Sequence, residues 1–487
     1  MYLHDLVALL PAYSLPNESN PFIQDLHMDS REVTEGSLFF CVPGYTVDGH
    51  DYAEQAISNG AVALVAEKPL DVDIPVVIVK DSKRAMAIVS AAYYEYPTKN
   101  LHMIGVTGTN GKTTTTHLIE KILTDAQKNI GMIGTMYMRY AEKEVPVKNT
   151  TPESLVLQKE FANMVREGVD TITMEVSSHA LEQGRVHGCE FNIAVFTNLS
   201  QDHLDFHGTM ERYGYAKGLL FAQLGNAYDQ NKYKMAVINN DDEASERIKM
   251  MTAVPVLTYG IHSDADVKAT NINVHETGTD FHVNIGEHSM PVRLKMAGTF
   301  SVYNALAALA AAYASGISLE SICTSLEEVK GVSGRFERVE MNSPYHVIVD
   351  YAHTPDSLKN VLETIREFAK GKVTVVVGCG GDRDKTKRPK MAAVAEQLAD
   401  FVYLTSDNPR TEDPLKILED METGMKGTDY KVIENRKSAI ETAVQSAQRD
   451  EVILIAGKGH ETYQTIGTTN YHFDDRVIAK KAAEEAK

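Results

Sequence analysis

The chain has 487 residues, 43% of them apolar and 24% charged, a balance that suits a soluble globular protein of about three domains. Its 48 basic and 67 acidic side chains leave a formal charge of −19, which excludes non-specific attachment to nucleic-acid phosphates and leaves anion binding to local basic pockets. The longest apolar run, 305–314, is far short of a membrane span, and residues 1–14 lack a basic leader and a small-residue cleavage site, so a cytoplasmic chain without membrane insertion is expected.

In chain order, the first segment, 1–98, alternates short strands (36–42, 61–66, 76–79) with helices (52–59, 82–94). It ends in Pro97-Thr98-Lys99-Asn100, which reads as a linker. The second segment, 99–332, has strands at 101–106, 171–174 and 193–197, an amphipathic helix at 114–126, a β-rich insert near 265–295 and a helix at 319–329. A glycine-bearing hinge, Gly331-Val332-Ser333-Gly334-Arg335, follows. The third segment, 333–487, repeats a βα rhythm: strands at 347–350, 373–377, 402–405 and 452–456, helices at 356–369 and 390–398. The expected fold is α/β in three domains: a smaller N-terminal α/β domain, a central P-loop-type domain with a mostly parallel sheet, and a C-terminal doubly wound Rossmann-like domain. Such domains place ligands at the carboxyl ends of strands and in the clefts between units. The four cysteines, Cys41, Cys189, Cys323 and Cys379, show no metal-ligand spacing and read as reduced, incidental thiols.

The richest chemistry lies at Gly105-Val106-Thr107-Gly108-Thr109-Asn110-Gly111-Lys112-Thr113-Thr114. Strand, glycine loop and helix opening on Lys-Thr form a cradle for a triphosphate. Glycines let backbone N–H groups turn toward phosphate oxygens, Lys112 offsets β/γ charge, and the Thr113 hydroxyl suits Mg²⁺. Gly108, Thr109, Asn110, Gly111, Lys112, Thr113 and Thr114 are therefore expected to bind ATP. Val106 stands where the strict motif has its first glycine, so the loop is a shorter variant.

Two further strand ends supply metal-binding chemistry. The strand at 171–174 delivers Glu175, and the strand at 193–197 leads to His203. A carboxylate and an imidazole beside a phosphate loop are expected to share one Mg²⁺. Asp350 ends another strand and could meet a ribose hydroxyl or a water on the metal. Asn304 and Arg335 flank the second junction, where a nucleotide held between domains needs contacts. Lys217, taken alone, reads as an ordinary helix-face lysine.

These strings in this order resemble the Mur ligase family, ATP-dependent amide-bond formers of peptidoglycan synthesis. The resemblance runs through Asp29-Ser30-Arg31, 44–49, 108–114, Asn149-Thr150-Thr151-Pro152, 175–181, 198–208, Gly334-Arg335-Phe336, 350–355, 380–384 and 457–461, so it covers essentially the whole chain. It implies an acid–amino-acid ligase that attaches the third stem-peptide residue to UDP-N-acetylmuramoyl-L-alanyl-D-glutamate. It also implies that Lys217 is carbamylated and helps Thr113, Glu175 and His203 hold Mg²⁺. Ser30 and the 44–49 loop are expected on the uridine diphosphate, and Thr150, Thr151, Ser177, Gln183 and Arg185 on the muramoyl-peptide part.

Asp407-Asn408-Pro409-Arg410 points to meso-diaminopimelate as the incoming amino acid, because family members that accept it carry this string. The physics agrees: the second amino-acid terminus of diaminopimelate has a carboxylate that suits a bidentate guanidinium, and lysine would leave Arg410 unpaired. By the same resemblance Arg383, Asp407, Asn408, Gly457 and Glu461 complete that pocket, and a monomer is expected. The competing expectations are the same ligase accepting L-lysine, or another ligase of the superfamily such as a folate polyglutamylating enzyme.

Overall fold

The computed structural model describes residues 1–44, 47–225 and 233–485. Three sheets carry the architecture, each built around apolar, β-branched strands that are buried on both faces, the pattern of parallel sheets covered by helices. The first is fully parallel, in the order Asp25–His27, Ser37–Phe40, Ala61–Ala66, Val76–Ile78. Helix Ser82–Tyr93 covers it, and the Asp81 carboxylate caps that helix by accepting from the Arg84 N–H.

Pro97–Asn100 is a 3₁₀ turn, not a loose linker. Pro97 and Thr98 are buried, and the Thr98 hydroxyl accepts the Glu190 N–H (3.1 Å). The joint after the first sheet is thus packed against the second.

The second sheet has eleven strands. Strand His102–Thr107 lies at its centre, with Thr171–Glu175 on one side and Ile193–Phe196 on the other, all parallel. The chain order reverses there, and the three loops that follow these strands open on one crevice. Beyond Ile193–Phe196 the sheet continues through Met235–Asn239 and Val256–Gly260 into an antiparallel meander, Val267–His275, Gly278–Ile285 and His288–Leu294, which is the β-rich insert. Helix Thr299–Ala314 runs beneath the sheet. Its alanine-rich sequence has no polar face, and it is buried almost all round against helix Lys112–Asp125.

The third sheet orders as Glu337–Arg338, His346–Asp350, Val452–Ala456, Val373–Val377, Phe401–Leu404, Tyr430–Val432, parallel except for the first strand. Inserting the last parallel strand between the first two brings the loops after Asp350 and Ala456 side by side. Helix Lys387–Leu398 begins three residues before its expected start. Helices Pro414–Glu422, Arg436–Gln445 and Asp475–Glu485 and the hairpin Tyr463–Ile466/Thr469–His472 were not read from the sequence.

Candidate active site

The phosphate loop leaves the central strand and enters helix Lys112–Asp125 through two constrained glycines. Gly108 (φ +150°) packs so closely that a Cβ would overlap the Thr197 hydroxyl; at Gly111 (φ +86°) it would overlap the Asn304 carboxamide oxygen. Neighbouring strand ends hold the loop. Thr109 N–H donates to the Asn198 carbonyl (2.9 Å), Asn110 N–H to the Asn198 side-chain oxygen (2.8 Å), and the Thr197 hydroxyl to the Asn110 carbonyl (2.7 Å).

Lys112 Nζ donates to the carbonyls of Gly108 and Thr109, each at 2.9 Å. Lys217 Nζ reaches the same Gly108 carbonyl at 2.7 Å. Two ammonium-bearing side chains therefore crowd one oxygen. Burial, then the Lys112 charge, pulls the Lys217 amine well below its usual value. Lys217 is 1% exposed and lies 4.3 Å over the Tyr213 ring. Burial that disfavours the charged amine, beside an anion-binding loop, suits carbamylation, and the ordinary helix-face reading of Lys217 fails on this burial.

Glu175 is also 1% exposed. It accepts from the Thr113 hydroxyl (3.0 and 3.1 Å), the Thr135 N–H (2.8 Å) and the Thr135 hydroxyl (3.1 Å). Arg335 Nη2 donates to the Thr113 hydroxyl (2.9 Å), carrying the third sheet's hinge onto the phosphate loop. The Arg335 guanidinium also stacks on Tyr351 (4.5 Å). His203 occupies a left-handed backbone position (φ +52°) 3.3 Å from Asp202. Burial holds its imidazole down at about 3, so it is neutral and able to act as a ligand. Among the described residues no cluster of three His, Cys, Asp or Glu side chains converges on one metal-sized point. The oxygens of Thr113 and Glu175, adjacent to each other and to the phosphate loop, nevertheless suit a hard cation that shares phosphate ligands.

A cavity of about 720 Å³ joins the second and third sheets. Thr109, Asn110, Gly111, Lys112, Thr113, Thr114, Glu175, His203, Asn304, Arg335 and Asp350 all line it; Gly108 and Lys217 lie just behind. Burial pushes the Asp350 carboxyl up to about 6, and it accepts the Phe336 N–H (2.6 Å).

Thr150 lines the same cavity, its hydroxyl 3.1 Å from that of Thr135. Thr151 bonds the Glu175 carbonyl (2.9 Å) and receives the Ser177 N–H (3.0 Å). Arg185 donates to the Thr151 carbonyl and to Gln183 (both 3.0 Å) and pairs with Glu153 (2.9 Å). These five expected residues thus form one connected wall. Ser30 sits apart on the first sheet, its hydroxyl donating to Gln55 (2.8 Å). Tyr45 and Thr46 of the 44–49 loop lie outside the described residues.

The expected amino-acid residues gather at the far ends of the third sheet. Asn408 Nδ2 donates to Glu461 (2.9 Å), and the fully buried Lys458 Nζ bridges Asn408 Oδ1 (2.8 Å) and Glu461 (3.1 Å). Gly457 (φ +118°) leaves room for the Asp407 carboxylate. Burial, then Asp407, pushes the Glu461 carboxyl up. Arg410 Nη1 donates to the Gly381 carbonyl (2.8 Å) and Arg383 Nη1 to the Asp382 carbonyl (2.9 Å). Lost hydration and the nearby Arg410 charge hold the Arg383 guanidinium below its ordinary value. Among the described residues neither arginine pairs with a carboxylate, so two adjacent cations await an anion. The 457–461 turn packs on the hinge. His460 stacks on Tyr351 (5.2 Å between centroids), and a Cβ at Gly334 would overlap the His460 backbone.

Three family models match in succession: the Mur ligase family catalytic domain over residues 23–104, the Mur ligase middle domain over 106–312, and the Mur ligase glutamate ligase domain over 334–459. A curated relative from Halalkalibacterium halodurans, named UDP-N-acetylmuramoyl-L-alanyl-D-glutamate--2,6-diaminopimelate ligase, is 59% identical over 483 residues and 99% of both chains. The chain belongs to the Mur ligase family. A second relative of this Mur ligase with the same name, from Geobacillus thermodenitrificans, is 56% identical over the full length of both chains. A solved structure titled as that ligase is 34% identical, covers 100% of this chain and 99% of its own, and superposes with a TM-score of 0.69. The Thermotoga maritima MurF ligase in complex with ADP, 20% identical, shares the fold over 95% of this chain and 96% of its own, with a TM-score of 0.65.

Sequence reasoning missed Thr135 and the role of Lys458 in this Mur ligase. Thr135 follows strand Ile130–Ile133, and a polar residue after a strand beside the phosphate loop was its only local signal. Lys458 lies inside the quoted 457–461 string without a role attached. Cys379 is inert: burial pushes its thiol up to about 12.

Proposed function

We propose that this chain is the ATP-dependent ligase that adds meso-diaminopimelate to UDP-N-acetylmuramoyl-L-alanyl-D-glutamate in peptidoglycan precursor synthesis. The observation that carries the choice of amino acid is the pair Arg383 and Arg410, without carboxylate partners among the described residues, at the same end of the third sheet as the carboxylates Asp407 and Glu461, with Arg410, Asp407 and Glu461 all near Tyr463. Diaminopimelate ends in both a carboxylate and an ammonium, and this arrangement offers each its counter-charge. L-Lysine would leave the guanidiniums without the carboxylate that diaminopimelate brings.

The units divide at 1–98, 99–332 and 333–487: the first for uridine diphosphate through Ser30 and the 44–49 loop, the second for ATP, the third for the amino acid. The sheet composition and the spans of the family models support these boundaries. Lys112 turns from the Gly108 and Thr109 carbonyls to the β/γ-phosphates. Arg335 and the loop N–H groups hold the same oxygens. The D-glutamate carboxylate, steered by Thr150, Thr151, Ser177, Gln183 and Arg185, attacks the γ-phosphorus; the bond to the β-phosphate oxygen breaks, ADP leaves with its electron pair, and an acyl phosphate remains. The diaminopimelate amine then forms the C–N bond, and phosphate departs with the C–O electron pair. Thr113, Glu175, His203 and a carbamylated Lys217 would hold Mg²⁺, which would supply charge neutralisation at the phosphate oxygens. Asn304 and Asp350 hold the nucleoside.

The residues of the phosphate cavity and those of the amino-acid pocket form separate groups that meet at Tyr351 and the hinge. This supports a closing movement of the third unit that brings amine to acyl phosphate and excludes water. No helix among the described residues is long and apolar enough to cross a membrane, and a cytoplasmic monomer is the working form we propose. Mass analysis of the product formed with each candidate amino acid, ATP and Mg²⁺ tests the reading. A tripeptide product with diaminopimelate and ADP release in equal amount is expected; preference for L-lysine or a folate acceptor would overturn it.

A further inference from the structure

Arg436 opens helix Arg436–Gln445 and is 1% exposed. Its Nε donates to Asp475 Oδ1 (2.9 Å), and its Nη2 to Asp475 Oδ2 (2.7 Å) and the Ala456 carbonyl (3.0 Å). Nη1 is buried without a hydrogen bond and lies 4.0 Å from Asp407 Oδ2. One guanidinium thus touches the end of strand Val452–Ala456 and the start of helix Asp475–Glu485, and faces the turn after strand Phe401–Leu404. A buried donor left idle is costly unless something else requires its direction.

We infer that Arg436 is a positioning residue for amino-acid selection: its idle Nη1 fixes the orientation of Asp407, which in turn meets the substrate ammonium. The inference rests on the reading that Asp407 belongs to the diaminopimelate pocket. The geometry explains the need: Asp475 and the Ala456 carbonyl hold the guanidinium in place, and its free Nη1 faces the Asp407 carboxylate at 4.0 Å. Without Arg436 the Asp407 carboxylate loses the guanidinium that faces it and can turn away from the substrate ammonium. Asp475 belongs to the same device, because it holds the guanidinium plane that aims Nη1 at Asp407.

The test compares steady-state constants for each of the three substrates. The double variant Arg436→Met/Asp475→Leu removes the buried pair without orphaning a charge. It is expected to keep its circular-dichroism spectrum, and its KM for ATP and for the UDP-linked dipeptide should stay within about twofold, while KM for diaminopimelate rises about tenfold or more, the scale on which orienting partners of liganding groups act. Arg436→Lys, which keeps the charge but not the fork, should fall between. An unchanged diaminopimelate KM in the folded double variant, or an equal loss for all three substrates, overturns the inference. Should the double variant not fold, Arg436→Lys decides by the same split. Asp407→Asn separates the two layers: if it leaves diaminopimelate KM unchanged, the pocket reading itself has failed.

Discussion

The two ends of the site are built in different ways. At the triphosphate end, backbone does most of the holding: loop N–H groups, two constrained glycines and a helix start, braced by Asn198 and Thr197. At the amino-acid end, side chains do it: Asn408, Lys458 and Glu461 form a closed hydrogen-bonded group, and Arg383 and Arg410 lean on backbone carbonyls only. A backbone cradle recognises what all members of a nucleotide-using family share. A side-chain pocket can be re-specified residue by residue, and choice of substrate therefore resides there.

The largest expected effect breaks the first half of this contrast. Lys112→Ala should lower ATP turnover by about 10³-fold or more while the chain stays folded, as removal of a main charge stabiliser does. Retained ADP release would show that the cradle works without its lysine. Next, Lys217→Ala should lose about 10²-fold or more in kcat, the range of one removed transition-state group. Short-chain carboxylic acids should restore part of it if a carbamate is present; no rescue would assign Lys217 to loop support through the Gly108 carbonyl alone.

The second half is sharpened by Arg410→Ala. Its kcat/KM for diaminopimelate should fall about 10²-fold with little change for L-lysine, as expected for one bidentate charge pair. A parallel assay that shows unchanged selectivity would move discrimination elsewhere.

The smallest effect concerns stability. Burial raises the Asp350 carboxyl from 3.8 to about 6 in the folded chain. The native state holds that proton more tightly than the unfolded chain, so stability is full below about pH 4 and declines as pH rises through 6. Asp350→Asn should therefore match the parent near pH 4 and exceed it by about 1–3 kcal/mol above pH 7, the worth of a shift of this size. Denaturant midpoints at the two pH values measure this, and a gap that widens toward acid would contradict it.

The cradle was legible in the sequence because its chemistry is local. Glycines with positive φ, a lysine and a threonine within a few residues leave few other readings. The positions of Glu175 and His203, at and just after strand ends, were legible because strand ends point somewhere definite. Arg436 was not: a lone arginine at a helix start reads as solvated, and its partners Asp407 and Asp475 are far away in sequence. Helix Pro414–Glu422 did carry its own start signal, the Asp413 cap followed by proline, as did the hairpin turn at Gly467 (φ +62°). The 97–100 segment misled because proline and polar residues imply a loop, while the fold buries two of them. The Mur ligase resemblance supplied the amino-acid pocket, which no spacing rule would have assembled.

The seat of the 457–461 turn on Gly334 has a mechanical consequence. The pivot and the amino-acid receptor are one part, like a door whose handle is fixed to its hinge pin. Any swing of the third unit carries the 457–461 turn and Glu461 with it. Lengthening the pivot by a single residue would spoil delivery of the amine even with every contact to ATP intact.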